Sequence, residues 1–329
     1  MSIKHFFHDS ESLVLDCLES LTITNTFLDF DRANKCKFLR FYVASSLNYP
    51  QTKLRHLAVF YTGHDSSKNV ALISGGGAGH EPGHAGYVGE GLLTAAVSGS
   101  IFASPNVSQI VNTISRVGGE AGTILIIKNY TGDVFHFHLA AEKARANYGL
   151  KVEIIVVGDD VSVGRQKSGK VGRRGLAGTV LVHKILGAIS KNPNATLENV
   201  ASMGRLVASN LVTVGASLGH VHIPGRAAPD PSNSPLDQIE LGMGIHNESG
   251  SRILNPPPDA NALIEMMLDQ LLSTTDSDRS YVDMKDAQEI VLLVNNLGGI
   301  SVLEMGGITK AVVSALGEHR KCPQAWKYC

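Results

Sequence analysis

The chain has 329 residues, 43% of them hydrophobic and only 18% charged, a balance that suits a globule with a sizeable core and excludes a disordered or fibrous chain. Lys and Arg number 29 against 30 Asp and Glu, for a net charge of −1. No basic run is long enough to follow a phosphate backbone, which argues against a nucleic-acid partner. No stretch reaches the ~18 apolar residues of a membrane span, and the first residues carry no signal-peptide core. Cys17, Cys36, Cys322 and Cys329 show neither metal-ligand nor redox spacing. The expectation is a cytoplasmic protein without a membrane partner.

Along the chain, short apolar runs alternate with helical patterns. NVALISGGG (69–77), GTILIIKNYTGD (122–133), KVEIIVVGDD (151–160) and EIVLLVNNLGG (289–299) are rich in β-branched residues and stop at Gly, Asn or Asp. Parallel strands buried on both faces read this way, with functional loops at their carboxyl ends. The periodicity predicts helices over Asp133–Tyr148, Leu176–Lys191, Leu197–Leu211 and Ala260–Leu272. The fold class is therefore α/β: two α/β lobes with largely parallel sheets flanked by helices, dividing near residue 200. Residues 225–258, rich in Pro, Asn, Ser and Gly, read as long loops.

Three segments carry chemistry. The first, Ser74 to His84 (SGGGAGHEPGH), follows a predicted strand, and its glycines let backbone N–H groups face a small polar ligand. His80-Glu81-Pro82-Gly83-His84 fits the H-E-x-x-H zinc pattern in letters. That chemistry needs a regular helix, and Pro82 and Gly83 would cost it about 3 and 1 kcal/mol relative to Ala. The run also lacks dinucleotide-binding spacing, because His80 stands where a third glycine belongs. Gly164 to Val171 nearly matches a P-loop, but Val171 replaces the Ser or Thr that would hold magnesium. The second segment, Lys128 to Asp133 (KNYTGD), puts a lysine and an aspartate at a strand's carboxyl edge, where ligand crevices form. Asp133 suits helix capping equally well, and spacing does not choose between the two. The third is Leu241 to Gly250 (LGMGIHNESG), with His246 among glycines; on spacing alone a satisfied loop histidine is the commoner outcome. His136/His138 and His220/His222 have period-two spacing, but no carboxylate or cysteine beside them completes a metal site.

Together these segments resemble the substrate-binding (K) domain of the dihydroxyacetone kinases. The matching motifs, in the family's order, are SGGGAGHEPGHAGYVGEGLLTAAVSGSIFASP, LIIKNYTGDVFHFHLAAEKA, VGRRGLAGTVLVHKILGA, SLGHVHIPGR and LGMGIHNESG. HVHIPGR is most similar to the single-chain, ATP-using branch. The resemblance spans about residues 5–35 and 60–318, with 36–59 read as an insertion and the tail from Cys322 as foreign to the family.

The resemblance implies that His246 binds a ketone or aldehyde, dihydroxyacetone or glyceraldehyde, as a covalent hemiaminal. His80 would hydrogen-bond the hemiaminal oxygen, and Asp133 would accept the proton of the attacking hydroxyl. Lys128 and the backbone of Gly77, Ala78 and Gly79 would hold the substrate hydroxyls. It implies no metal on this chain, ATP and Mg2+ on a missing or separate L domain supplied in cis or in trans, and a homodimer. The expected layout is a first lobe over residues 5–200 and a second over 201–329, short of its last strands. Ala78 stands for a usual Ser, Ser249 for a common Pro and Gly219 for a Glu. A non-catalytic dihydroxyacetone-binding or regulatory protein is the alternative.

Overall fold

The computed structural model describes residues 9–31, 57–224, 237–284, 287 and 289–319. Helix α1 (Ser10–Thr24) begins at Asp9, whose carboxylate accepts the Glu11 N–H at 3.0 Å, and turns Val14 and Leu18 inward. Strands β1 (Leu28–Asp31) and β2 (Ala58–Tyr61) pair antiparallel. Strand β3 (Ala71–Ala78) runs parallel to β4 (Ala95–Ile101), and α2 (Val107–Val117) follows behind a reciprocal capping box between Asn106 and Gln109. Strand β5 (Thr123–Lys128), helix α3 (Thr131–Tyr148) and strand β6 (Val152–Val157) complete a six-stranded sheet in the order β1-β2-β4-β3-β5-β6. The short α4 (Arg165–Ser168) precedes α5 (Thr179–Ser190) and α6 (Leu197–Ser209). Strands β7 (Ala216–Ser217), β8 (Ile239–Leu241) and β9 (Arg252–Leu254) form a second sheet, followed by α7 (Ala260–Leu272) and α8 (Val302–His319).

The large sheet is buried on both faces, which is why its central strands read as unbroken apolar runs. Successive residues of β5 alternate sides: Ile124 and Ile126 meet Leu181, Leu186 and Val200 of α5 and α6, while Leu125 and Ile127 meet Ile110, Ile114 and Phe137 of α2 and α3. At the centre, β3 lies between β4 and β5, all three parallel. Loops leaving β3 and β5 therefore part at their carboxyl ends and open a crevice there. No helix among the described residues is long and apolar enough to cross a membrane.

The central strands and α3, α5, α6 and α7 lie where the sequence pattern puts them, with α7 matching end for end. Three points differ. The second sheet is antiparallel throughout rather than parallel. Part of the predicted loop region 225–258 forms β8 and β9, which bury Ile239, Leu241 and Leu254 with α7; residues 225–236 lie outside the described residues. Residues 289–299 form no strand among the described residues, since Leu292 packs into the α7–α8 cluster, Leu293 meets the main core, and Val291 and Leu297 stay half exposed. Of the segment read as an insertion, residues 36–56 lie outside the described residues, as does the tail from Cys322, whereas Ala58 and Val59 are buried in β2. Residue 200 falls inside α6, and Val200 is part of the core beneath β6.

Helix α6 approaches β6 closely because position 204 is glycine: a Cβ there would lie 2.0 Å from Ile155 Cδ1 and 2.9 Å from Leu186 Cδ1. Gly204→Ala should therefore lower stability by about 1–3 kcal/mol despite the better helix propensity of alanine. Adding Ile155→Val, which removes the clashing methyl, should restore part of the loss. Urea midpoints of the two variants check this, and a stabilised Gly204→Ala would show that the helix stands farther from the sheet.

Candidate active site

His80 lies in the turn after β3 and His246 in the turn after β8, 166 residues apart in sequence, yet their Nε2 atoms are 3.0 Å apart. The hydrogen bonds around the pair define the protons. His246 Nδ1 lies 2.8 Å from Glu248 Oε1, and the His246 backbone N–H donates to Glu248 Oε2 at 2.8 Å. A carboxylate only accepts, so the neutral ring carries its proton on Nδ1 and leaves a lone pair on Nε2. His80 then donates from Nε2. Burial alone would raise the Glu248 carboxyl, but hydrogen bonds from the His246 ring and backbone hold it down at about 2. Burial, reinforced by the Lys128 charge, pushes His80 down to about 3. His80 is thus a neutral hydrogen-bond donor at physiological pH.

Rings surround the pair. Tyr130 meets His246 edge-on at 4.7 Å and 82°, and Phe102 meets it at 5.3 Å and 80°. Phe102 also stacks on His80 at 5.0 Å and 24°. Lys128 ends β5 and is 7% exposed. Burial lowers its pKa, opposed by the charges of Asp133, Asp159 and Glu81. Asp133, in the first turn of α3, is 5% exposed. Its Oδ1 has no hydrogen-bond partner among the described residues, and α3 lacks any side-chain cap at Tyr130. The helix-cap reading of Asp133 is therefore wrong. Burial raises its carboxyl pKa, against a hydrogen bond from Ser104 and the Lys128 charge. A buried aspartate of raised pKa, beside a lysine, is equipped to take a proton from a bound hydroxyl.

The glycine run has a packing role as well. A Cβ on Gly77 would lie 2.6 Å from Ala103 N and 2.9 Å from the Phe102 backbone, and one on Gly79 would lie 2.8 Å from the Phe102 ring. The Gly79 N–H donates to the Glu81 carboxylate at 2.9 and 3.2 Å, so that donor is already engaged.

His84 does not join His80. The chain turns at Glu81–Gly83, with the Gly83 N–H donating to His80 O, and His84 Nδ1 meets Ser74 Oγ at 3.1 Å while its ring packs edge-on to His183. His136 bonds Pro105 O and His138 bonds Val134 O from α3, and His220 faces Glu240. No group of three metal-binding side chains occurs among the described residues. The near P-loop at Gly164 folds as the four-residue α4, tied down through Asp278 Oδ1 to the Gln166 N–H and through Arg165 to Ser277 O and Ser280 O.

The His246 turn is clamped to the large sheet by residues not singled out by spacing. Arg174 reaches Asp160 Oδ2 through Nε and Nη2, both at 2.7 Å, and Nη2 donates to Gly242 O at 2.7 Å. The Asp160 side chain is 1% exposed. Asn247, at φ +64°, accepts the Val221 N–H at 2.9 Å, a left-handed position that asparagine tolerates. Glu248, Arg174 and Phe102 are the functional candidates that the sequence patterns do not single out. For Glu248 the short spacing to His246 is the one available signal.

Comparison with known proteins gives concordant results. The Dak1 domain family matches residues 43–326. Dihydroxyacetone kinase 1 of Saccharomyces cerevisiae is 51% identical over 259 residues, 78% of this chain and 44% of that protein. The dihydroxyacetone kinase of C. freundii superposes with a TM-score of 0.78 at 36% identity in its native form, covering 94% of this chain and 51% of that one. Its complex with AMP-PNP and Mg2+ superposes with a TM-score of 0.77 at 35% identity and the same coverage. The dihydroxyacetone kinase operon co-activator Dha-DhaQ superposes with a TM-score of 0.77 at 28% identity, covering 95% of this chain and 85% of that one. The chain thus spans about half the length of the kinases it matches.

Two consequences concern the clamp. Removing Arg174 strands a buried carboxylate, so Arg174→Ala should cost about 3 kcal/mol in the denaturant unfolding free energy. Because the folded pKa of Glu248 is depressed, its stabilising contribution is complete above about 4.5 and is lost as pH falls towards 2. The urea midpoint of Glu248→Gln should therefore fall less than that of the unaltered protein between pH 5 and 3. Equal falls would show that the carboxylate does not anchor this turn.

Proposed function

Because this chain belongs to the Dak1 domain family of the dihydroxyacetone kinases, we propose that it holds a short ketose covalently on His246 for phosphorylation by ATP. The single observation that carries this reading is the His246 ring itself, anchored at Nδ1 by Glu248 with its Nε2 lone pair turned towards a second imidazole.

The chemistry follows from those atoms. The Nε2 lone pair forms the N–C bond to the carbonyl carbon, and the C=O π pair moves onto oxygen. His80, donating from Nε2, stabilises that oxygen as it becomes negative. Net, one proton leaves His246 Nδ1 by way of Glu248 and one reaches the oxygen, so the hemiaminal is uncharged. Glycerol has no carbonyl and is excluded by chemistry rather than by size. Lys128 and the backbone at Gly77 and Ala78, with a lesser part for Gly79, would hold the ketose hydroxyls. Asp133 would take the proton of the hydroxyl that attacks the γ-phosphoryl group.

The near P-loop gives no reason to place a nucleotide there, since Val171 stands where a hydroxyl is needed. ATP and Mg2+ would come on an L domain, in cis or in trans, and the chain would act as a cytoplasmic homodimer like K domains of its family. Glyceraldehyde would suit the same chemistry as dihydroxyacetone. A second reading, a ketose-binding regulator without kinase activity, is favoured by one observation: the fold superposes on that of the co-activator Dha-DhaQ as well as on that of the kinase in complex with AMP-PNP, with a TM-score of 0.77 in both cases.

The test uses dihydroxyacetone labelled with 13C at its carbonyl. On binding, that carbon should move from the carbonyl to the tetrahedral region of the NMR spectrum, and His246→Ala should abolish the new signal. A folded, unaltered protein that leaves the carbonyl signal in place would refute the hemiaminal. Supplying a separately made ATP-binding domain then separates the two readings, because the kinase transfers phosphate and the regulator does not. Since burial raises the Asp133 pKa, transfer should fall on the acid side at a higher pH than an ordinary aspartate would give.

A further inference from the structure

Phe102 sits in an expensive conformation. Its φ is +57°, a left-handed value that L-residues with bulky side chains rarely adopt. Glycine or asparagine would hold the same turn with less strain. Phe102 is also absent from all four apolar clusters of the described residues, so core burial does not account for a phenylalanine there. The surroundings are shaped to admit it: the Phe102 N–H donates to Ala78 O at 2.9 Å, and Gly77 and Gly79 lack the side chains that would meet its backbone and ring. What the ring touches is the histidine pair, flat against His80 and edge-on to His246.

We propose that Phe102 is a positioning residue of this site, its ring holding the His80 imidazole in the plane at which Nε2 meets His246 Nε2. An imidazole joined to one partner by one hydrogen bond can still swing about χ1 and χ2. The stacked ring removes that freedom and keeps water from one face of His80, which favours the neutral donor. The inference rests on the hemiaminal reading for its catalytic meaning but not for its geometry. The groups acting on His80 are His246 and Glu248 from the β8 turn, Lys128 from the end of β5, and His84 from the same loop. A change at Phe102 leaves the identity of all four side chains in place, and of the four only His246 loses a ring contact with it.

Three variants separate the ring from the backbone. Phe102→Gly and Phe102→Asn keep the left-handed turn without the ring, and Phe102→Tyr keeps the ring. In the ligand-free protein, histidine 15N NMR should show His80 uncharged down to about pH 4 in the unaltered protein and Phe102→Tyr. In the Gly and Asn variants its titration should move up by on the order of one pH unit or more. With labelled dihydroxyacetone, adduct formation should slow roughly tenfold or more in Gly and Asn and stay near normal in Tyr. Urea midpoints of Gly and Asn should match or exceed the original. Unchanged His80 titration in whichever of Gly and Asn folds, or an adduct rate lowered equally in Tyr, would overturn the proposal. An unaltered protein that forms no adduct would sink the hemiaminal reading, while the ligand-free titration still decides whether Phe102 governs His80.

Discussion

The site depends on where one proton sits. Glu248 receives the His246 ring at Nδ1 and the His246 backbone N–H through its other oxygen, so a single carboxylate fixes both tautomer and orientation. With the proton on the other nitrogen, His246 would offer His80 a donor facing a donor, and no lone pair would face a substrate. The bond to Glu248 works only because its turn is held against the large sheet. Arg174 provides that hold, bridging the buried Asp160 carboxylate to the Gly242 carbonyl four residues before His246. The chain of dependence thus runs from a buried ion pair, through a glycine-rich turn, to a nucleophile.

Around that line the protein keeps polar groups in a low-dielectric setting where each is sensitive to its neighbours. Lys128 and Asp133 are both nearly inaccessible and shift towards their neutral forms, while His80 and His84 are pushed the same way by burial and by the Lys128 charge. Such an arrangement favours groups that exchange protons readily over groups that hold full charges. It also explains the abundance of rings: Phe102 and Tyr130 surround the imidazoles with faces and edges that exclude water without competing for hydrogen bonds.

Much of the scaffold was legible because two-sided burial writes long apolar runs, and β3, β5 and β6 carry such runs up to a Gly or Asn. β4 carries no such run, since AAVSGSI is broken by glycine and serine, and the two- and three-residue strands of the second sheet are too short to show a period. The capping box at Asn106 and Gln109 is legible in the letters, at the Asn-x-x-Gln spacing. At the site, His80, Asp133 and His246 stood out in motifs, but local spacing could not join residues 166 apart or say that Asp133 is no cap. Roles came from the family resemblance; Glu248, Arg174 and Phe102 needed the fold, since their partners are set by tertiary approach.

The most direct test of this account is the protonation of the His246 ring in the ligand-free protein at neutral pH, read from long-range 1H–15N correlations. A protonated Nδ1 and a bare Nε2 are expected, with the pattern lost or mixed in Glu248→Gln. A proton found on Nε2, with Nδ1 bare, would leave no nucleophile facing His80 and would rule out His246 as the group that attacks a carbonyl.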